Sequence, residues 1–148
     1  MEVEKKNTKK IGDLGESIAC KFLKNKGFSI VQRNYRKRYG EIDIVARGTK
    51  LTNKNRVSHE TREVIHFIEV KSVSYETRSL LEWTVSHETY RPEELVHSFK
   101  LNQIRKTAET WLNENHWNGE MQVDVVAVHM VPREKYALVK HIENVMPE

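Results

Sequence analysis

"VIHFIEVKS", Val64–Ser72, decides how this chain folds. The stretch is rich in β-branched and aromatic residues, which predicts a β-strand. Side chains alternate along a strand, so Ile65, Phe67, Glu69 and Lys71 share one face, opposite Val64, His66, Ile68 and Val70. Both faces are largely apolar, the pattern of a central strand covered on both sides. Glu69 and Lys71 nonetheless sit near its end, where they lose much of their hydration. Charges so placed persist only when paired or metal-bound.

A second strand poses the same problem. In "GEIDIVA", Gly40–Ala46, the alternation puts Glu41, Asp43 and Val45 on one face and Ile42, Ile44 and Ala46 on the other. The plain alternative is a Glu69–Lys71 or Asp43–Lys71 ion pair kept for fold specificity. Two successive strands with acids of matching parity favour a site instead. Carboxylates converging from neighbouring strands make an oxygen-rich place for Mg²⁺ or Mn²⁺. Lys71, two positions past Glu69, projects to the same side, where it could orient water or stabilise charge on a phosphate.

Outward from these strands the pattern is mixed. Ile11, Leu14, Ile18 and Phe22 recur at helical spacing within Thr8–Lys26, with Gly15 and Ala19 close to the stripe and Gly27 as a C-cap. "FSIVQRNY" predicts a strand that forms a hairpin with "GEIDIVARG". Thr49–Glu63 is polar and turn-rich, a long loop, and Val73–Arg91 has no clear pattern. Pro92, Glu93 and Glu94 mark a helix start, with Leu95, Phe99, Ile104, Ala108, Trp111 and Leu112 on one face. "MQVDVVAVHM" is a fourth buried strand and "YALVKHIEN" a fifth, at an edge. The order predicts one α/β domain spanning 1–148, a central mixed β-sheet of four to five strands flanked by helices.

Composition narrows the class. The chain has 148 residues, 38% hydrophobic and 31% charged, which suits a soluble globular domain. No apolar run of roughly 18 residues exists, and the polar N-terminus lacks a signal peptide's apolar core. One cysteine, Cys20, excludes an internal disulfide framework and a multi-cysteine zinc site. The cytoplasm is the expected compartment. Net charge is +4 with a pI near 9.1, mildly basic, with clusters at Lys5–Lys10 and Arg33–Arg38. That permits an anionic partner without requiring one. No glycine-rich phosphate loop, GxSxG elbow or HExxH is present.

The "GEIDIVA" and "FIEVKS" pair resembles the acidic D…(E)xK pattern of the PD-(D/E)XK nuclease superfamily. More closely, the chain resembles the YraN-like family, whose fold is similar to archaeal Holliday junction resolvases. The likeness covers "GDLGESIACKFLKNKGFSIVQRNYRKRYGEIDIVA", "FIEVKS", "FKLNQIRKTAETWL" and "VDVVAV". It implies a restriction-endonuclease-like fold and a metal-dependent endonuclease hydrolysing DNA, with branched or junction DNA as a candidate substrate. The alternative is a nucleic-acid-binding or assembly module of the same fold without turnover. Nucleic acid, DNA first, is the implied partner, no membrane is, and a homodimer is left open.

Residue by residue, the resemblance makes Asp43 and Glu69 the metal-binding acids, with the Val70 carbonyl as a further ligand and Lys71 the catalytic lysine. Glu16 matches an acid on the first helix beside the metal; a solvent-facing or capping Glu is its other reading. Glu41 lies one strand repeat, roughly 6.5–7 Å, from Asp43 and suits a supporting or ion-pairing role. Asp124 suits a capping or network role. Arg33, Arg36, Lys37 and Arg38 would hold the nucleic-acid backbone. Lys100 and Gln103, about one turn apart, either touch a phosphate or form an exposed helical face. His66 and His129 suit hydrogen-bonded core positions, and Trp111 suits packing.

Overall fold

The computed structural model describes residues 2–51, 61–87 and 98–146. Its elements are α1 (Glu2–Asn25), β1 (Ser29–Lys37), β2 (Gly40–Leu51), β3 (Thr61–Ser74), α2 (Arg78–Ser86), α3 (Ser98–Glu114), β4 (Glu120–Val131), a 3-10 turn (Pro132–Glu134) and β5 (Tyr136–Ile142). One five-stranded sheet runs in the order β1-β2-β3-β4-β5. The first three strands are antiparallel, β3 and β4 are parallel, and β5 returns antiparallel at the edge. The parallel pair needs a crossover, and α3 lies within it.

The centre of the sheet is where "VIHFIEVKS" predicted it. Val64 to Glu69 are all buried, and β3 has a strand on each side. Helices cover both faces. On one, Ala19, Cys20 and Leu23 of α1 pack against Ile44, Ala46, Ile68, Val126, Val128 and Met130. On the other, Ile104, Ala108 and Trp111 of α3 pack against Tyr35, Ile42, Val45, Ile65, Phe67 and Val123.

Four expectations need adjustment. Leu14 is 40% exposed; Ala19, Cys20 and Leu23 are the buried face of α1, with Ile11, Ile18 and Phe22 packed beside them. Gly15 is buried, and a methyl there would overlap the Ser72 hydroxyl and lie 2.8 Å from Ser72 Cβ. The close approach of α1 to β3, rather than the bulk of Leu14, orients the helix. Ile42 and Ile44 do not share a face; they belong to opposite clusters. Asn34, in the left-handed region (φ 53°) on the paired strand β1, lies between their partners Arg33 and Tyr35, and the register of this pair shifts nearby, between Ile30 and Gln32. The Thr49–Glu63 loop is shorter than its polarity suggests, because Thr49–Leu51 pairs with Thr61–Glu63 in the β2–β3 ladder. Val73–Arg91 holds the end of β3 and α2, whose N-cap Thr77 accepts the Leu80 N–H. The helix start at Pro92, with Leu95, lies outside the described residues. Gly27 closes α1 with φ +96°, as its position predicts.

Candidate active site

The site forms where the β2–β3 ladder stops. The last pair is Ile44↔Ile68. Beyond it, Asp43 turns its carboxylate onto β3 and accepts the Val70 N–H at 2.7 Å. The group of Val70 seen at the site is thus its amide N–H. Glu69, on the neighbouring residue, is 5% exposed and lies on the α3 face with Phe67.

Two ammonium groups reach the same oxygen of Glu69. Lys71 Nζ is 3.2 Å from Oε1, and Lys100 Nζ, from α3, is 3.0 Å from it. The Lys71 contact follows from strand alternation. The Lys100 contact does not: nothing in the spacing of α3 says how its first turns dock on the sheet, so the sequence offered a phosphate contact or an exposed face. Burial lowers the affinity of Lys100 for its proton, but the hydrogen bond and charge of Glu69 more than reverse this, so its pKa is raised.

Asp43 and Glu69 are neighbours in space and strain against each other electrically. Burial, and then the charge of Glu69, push the Asp43 carboxyl up to about 8, against the pull of the Val70 N–H. Glu16 adds to this push from α1. Burial raises Glu16 itself, with Arg33, 3.8 Å away, opposing. Gly15 explains the placement of Glu16, since the helix touches β3 one residue earlier. Glu16, Asp43, Glu69, Lys71 and Lys100 therefore occupy one neighbourhood, drawn from α1, β2, β3 and α3. Glu41 is at its rim and pairs with Arg36 at 3.1 Å.

A basin of about 390 Å³ adjoins this neighbourhood, lined by Arg36, Lys37, Arg38, Tyr39, Gly40, Glu41 and Gln103. Lys37 pairs with Glu114 at 2.7 Å, and Arg38 is exposed. Arg33, by contrast, turns to Glu16 on the α1 side. The predicted basic cluster is thereby divided, with Arg33 facing the acids and the other three lining the basin.

A second polar cluster was visible in the sequence only as single residues. Asp124, fully buried, takes His66 Nδ1 at 2.6 Å and His141 Nε2 at 2.9 Å on Oδ2. Its Oδ1 accepts Gln122 Nε2 at 2.8 Å and the Asn144 N–H at 2.9 Å. Burial would raise its pKa, but these donors outweigh burial and hold the carboxyl well below the usual range. His66, Asp124 and Glu143 bring ligand atoms within 4.8 Å of one another, a grouping that could hold a metal ion of unspecified identity. The 2.6 and 2.9 Å separations are those of direct hydrogen bonds, whereas two ligands on one tetrahedral zinc lie roughly 3.3 Å apart. As it stands, Asp124 ties β4 to β3, β5 and the segment after β5, which is the network role its position suggested. His129 faces the Tyr75 hydroxyl at 3.0 Å, and Trp111 is buried, as expected for core positions.

A mixed five-stranded sheet with helices on both faces, and an acidic pair where β2 parts from the central strand, defines a restriction-endonuclease-like α/β fold. Comparison with known proteins then gives the family. The profile of the uncharacterised protein family UPF0102, the YraN family, matches residues 15–128. A UPF0102 protein of Campylobacter hominis is 33% identical over 135 residues, covering 90% of this chain and 93% of its own. One from Thermotoga petrophila is 37% identical over 113 residues, covering 76% and 81%. One from Campylobacter jejuni is 33% identical over 117 residues, covering 79% and 81%. The chain belongs to UPF0102. No helix among the described residues is long and apolar enough to cross a membrane.

Proposed function

We propose that this protein is a metal-dependent endonuclease that hydrolyses DNA phosphodiester bonds, with branched or junction DNA as the first substrate class to test. The observation that carries this reading is the meeting of Asp43, Glu69 and Lys71 just past the last β2–β3 pair. The donor set fits a hard divalent cation. It offers carboxylate oxygens, and the Asp43 pKa is raised by burial and then by the charge of Glu69, a repulsion that a cation would relieve.

Asp43 and Glu69 would hold Mg²⁺ or Mn²⁺, and the bound ion would supply Lewis-acid chemistry, polarising a phosphoryl oxygen and making water more acidic. Lys71 carries the remaining electrostatic work. Its ammonium is anchored on a rigid central strand and points to the acids, so it is placed to orient water or hold negative charge on the phosphate. Arg36, Lys37 and Arg38 would grip the backbone without reading its sequence, which makes binding fall steeply with salt.

A cleavage panel of linear and branched DNAs in Mn²⁺ tests the proposal. The native chain should cut at least one substrate, and Glu69→Ala and Lys71→Ala should lose that cutting. Equal cleavage by native and Lys71→Ala protein in clean preparations would remove Lys71 from the chemistry. The second reading, a DNA-binding or assembly module without turnover, is supported by the double neutralisation of Glu69 by Lys71 and Lys100. It requires DNA binding with no cleavage and no Mn²⁺ affinity that depends on Asp43.

A further inference from the structure

We propose that Lys100 is a tethered counter-cation, which occupies the divalent ion's place on Glu69 and is displaced to become a phosphate contact when the ion binds. The inference rests on the cation-binding reading of Asp43 and Glu69.

Its basis is an asymmetry between the two lysines. Both lie within 3.2 Å of Glu69 Oε1. Lys71 shares a strand and a face with Glu69, so its stem starts beside the acid, and its side chain is 22% exposed. Lys100 reaches across from α3, and its side chain is 44% exposed. A lysine stem is long and its ammonium strongly hydrated, so the more exposed of the two is the easier to release.

A divalent ion on Asp43 and Glu69 would sit beside both ammoniums. Like charges at such separations repel, and the repulsion is stronger where water is partly excluded. The least anchored cation leaves, and that is Lys100. Its release does not carry it far from DNA. Gln103, which lines the basic basin with Arg36, Lys37 and Arg38, lies about one helical turn from Lys100. One side chain would then oppose metal binding in the free protein and support backbone binding in the loaded one.

The two roles predict opposite effects of one substitution. Lys100→Met keeps the stem's bulk and removes its charge. Titrated with Mn²⁺ alone, by calorimetry or by the loss of the free-ion EPR signal, it should bind about tenfold more tightly than the native chain. Binding of a duplex or four-way DNA in Ca²⁺ should weaken, with the slope of log affinity against log salt smaller by about one. Lys100→Arg, which keeps the charge, should stay near native in the Mn²⁺ titration. Unchanged or weaker Mn²⁺ affinity in Lys100→Met would overturn the counter-cation role. Tighter Mn²⁺ with unchanged DNA affinity and salt slope would overturn the phosphate contact. Absence of Mn²⁺ binding in native and Lys100→Met protein alike would overturn the cation reading beneath both, and Asp43→Asn identifies that case by leaving both titrations unaltered. None of these readouts uses cleavage, so a chain that binds the ion without cutting DNA still decides the matter.

Discussion

Asp43 Oδ2 accepts the backbone N–H of Val70 at 2.7 Å, one residue past the acid it opposes, Glu69. A side chain from near the start of β2 thus bonds β3 just beyond their last backbone pair, and two carboxyls are held together that repel each other when both are charged. The ladder's end and the site's beginning are the same feature.

That pairing has a cost that depends on pH. Asp43 titrates near 4 in an unfolded chain but near 8 in the folded one. Between these values the folded protein holds the extra proton. The stability that goes with it is full below about pH 4 and is lost as the pH rises through 8. Asp43→Asn keeps an acceptor for Val70 and has no proton to lose. Urea unfolding at pH 5 and pH 8 should show the native chain losing stability on going up and the variant losing less. At pH 8 the variant should gain on the order of 1–2 kcal/mol relative to native, after allowance for solvent screening. Identical pH profiles would remove the carboxyl pair as the cause.

Asp124 responds in the opposite sense. Its carboxyl is held down by donors from His66, His141, Gln122 and Asn144, against the upward push of burial. The stability it confers is present above about pH 4 and is lost as the pH falls toward the lowered folded value. Asp124→Asn removes a charged acceptor from the middle of that network and should cost about 3–5 kcal/mol near neutrality. Hydrogen exchange should localise the loss to β5 and the Asn144 amide, while the variant's acid sensitivity becomes shallower. Uniform exchange across the sheet would argue against Asp124 as the fastening of β5.

Gly15→Ala sets two effects in competition. In an exposed helix interior the change favours folding by roughly 0.5–1 kcal/mol. Here the added methyl overlaps the Ser72 side chain and comes within 3.3 Å of Met130 Cε. Overpacking of this kind costs about 1–3 kcal/mol, so net destabilisation is expected in chemical denaturation. Ser72→Ala in the same chain removes the nearest atom but leaves Cβ 2.8 Å away, and should restore only part of the loss. A stabilised Gly15→Ala protein would show that α1 does not need this close approach.

The basic basin makes a prediction about salt rather than fold. Arg36→Ala breaks a surface pair with Glu41, and such pairs contribute about 0–1 kcal/mol, so stability should barely move. Arg38 is exposed on the same basin. Each substitution should weaken DNA binding about equally for all sequences and reduce the salt slope by about one. Gel-shift titrations across a range of salt concentrations measure both. A loss confined to one DNA sequence would mean that these arginines read bases.

What the chain order determined by itself was the local alternation and the classes of element. "VIHFIEVKS" placed Glu69 and Lys71 on one face of a central strand because a strand's period is set by the backbone alone. The resemblance carried by "GEIDIVA" and "FIEVKS" named Asp43 as Glu69's companion, and "YALVKHIEN" showed an edge strand. Only the tertiary structure decided which face of α1 meets the sheet, that Ile42 and Ile44 part company, and that Lys100 comes to the acids; for Glu16 it chose between the two readings that the sequence had offered. It also decided that His66, Gln122, Asp124, His141 and Asn144 converge. The physical reason is range: alternation follows from bonds between neighbours, whereas these contacts depend on how a helix docks and how a sheet twists, and many distant atoms set those together.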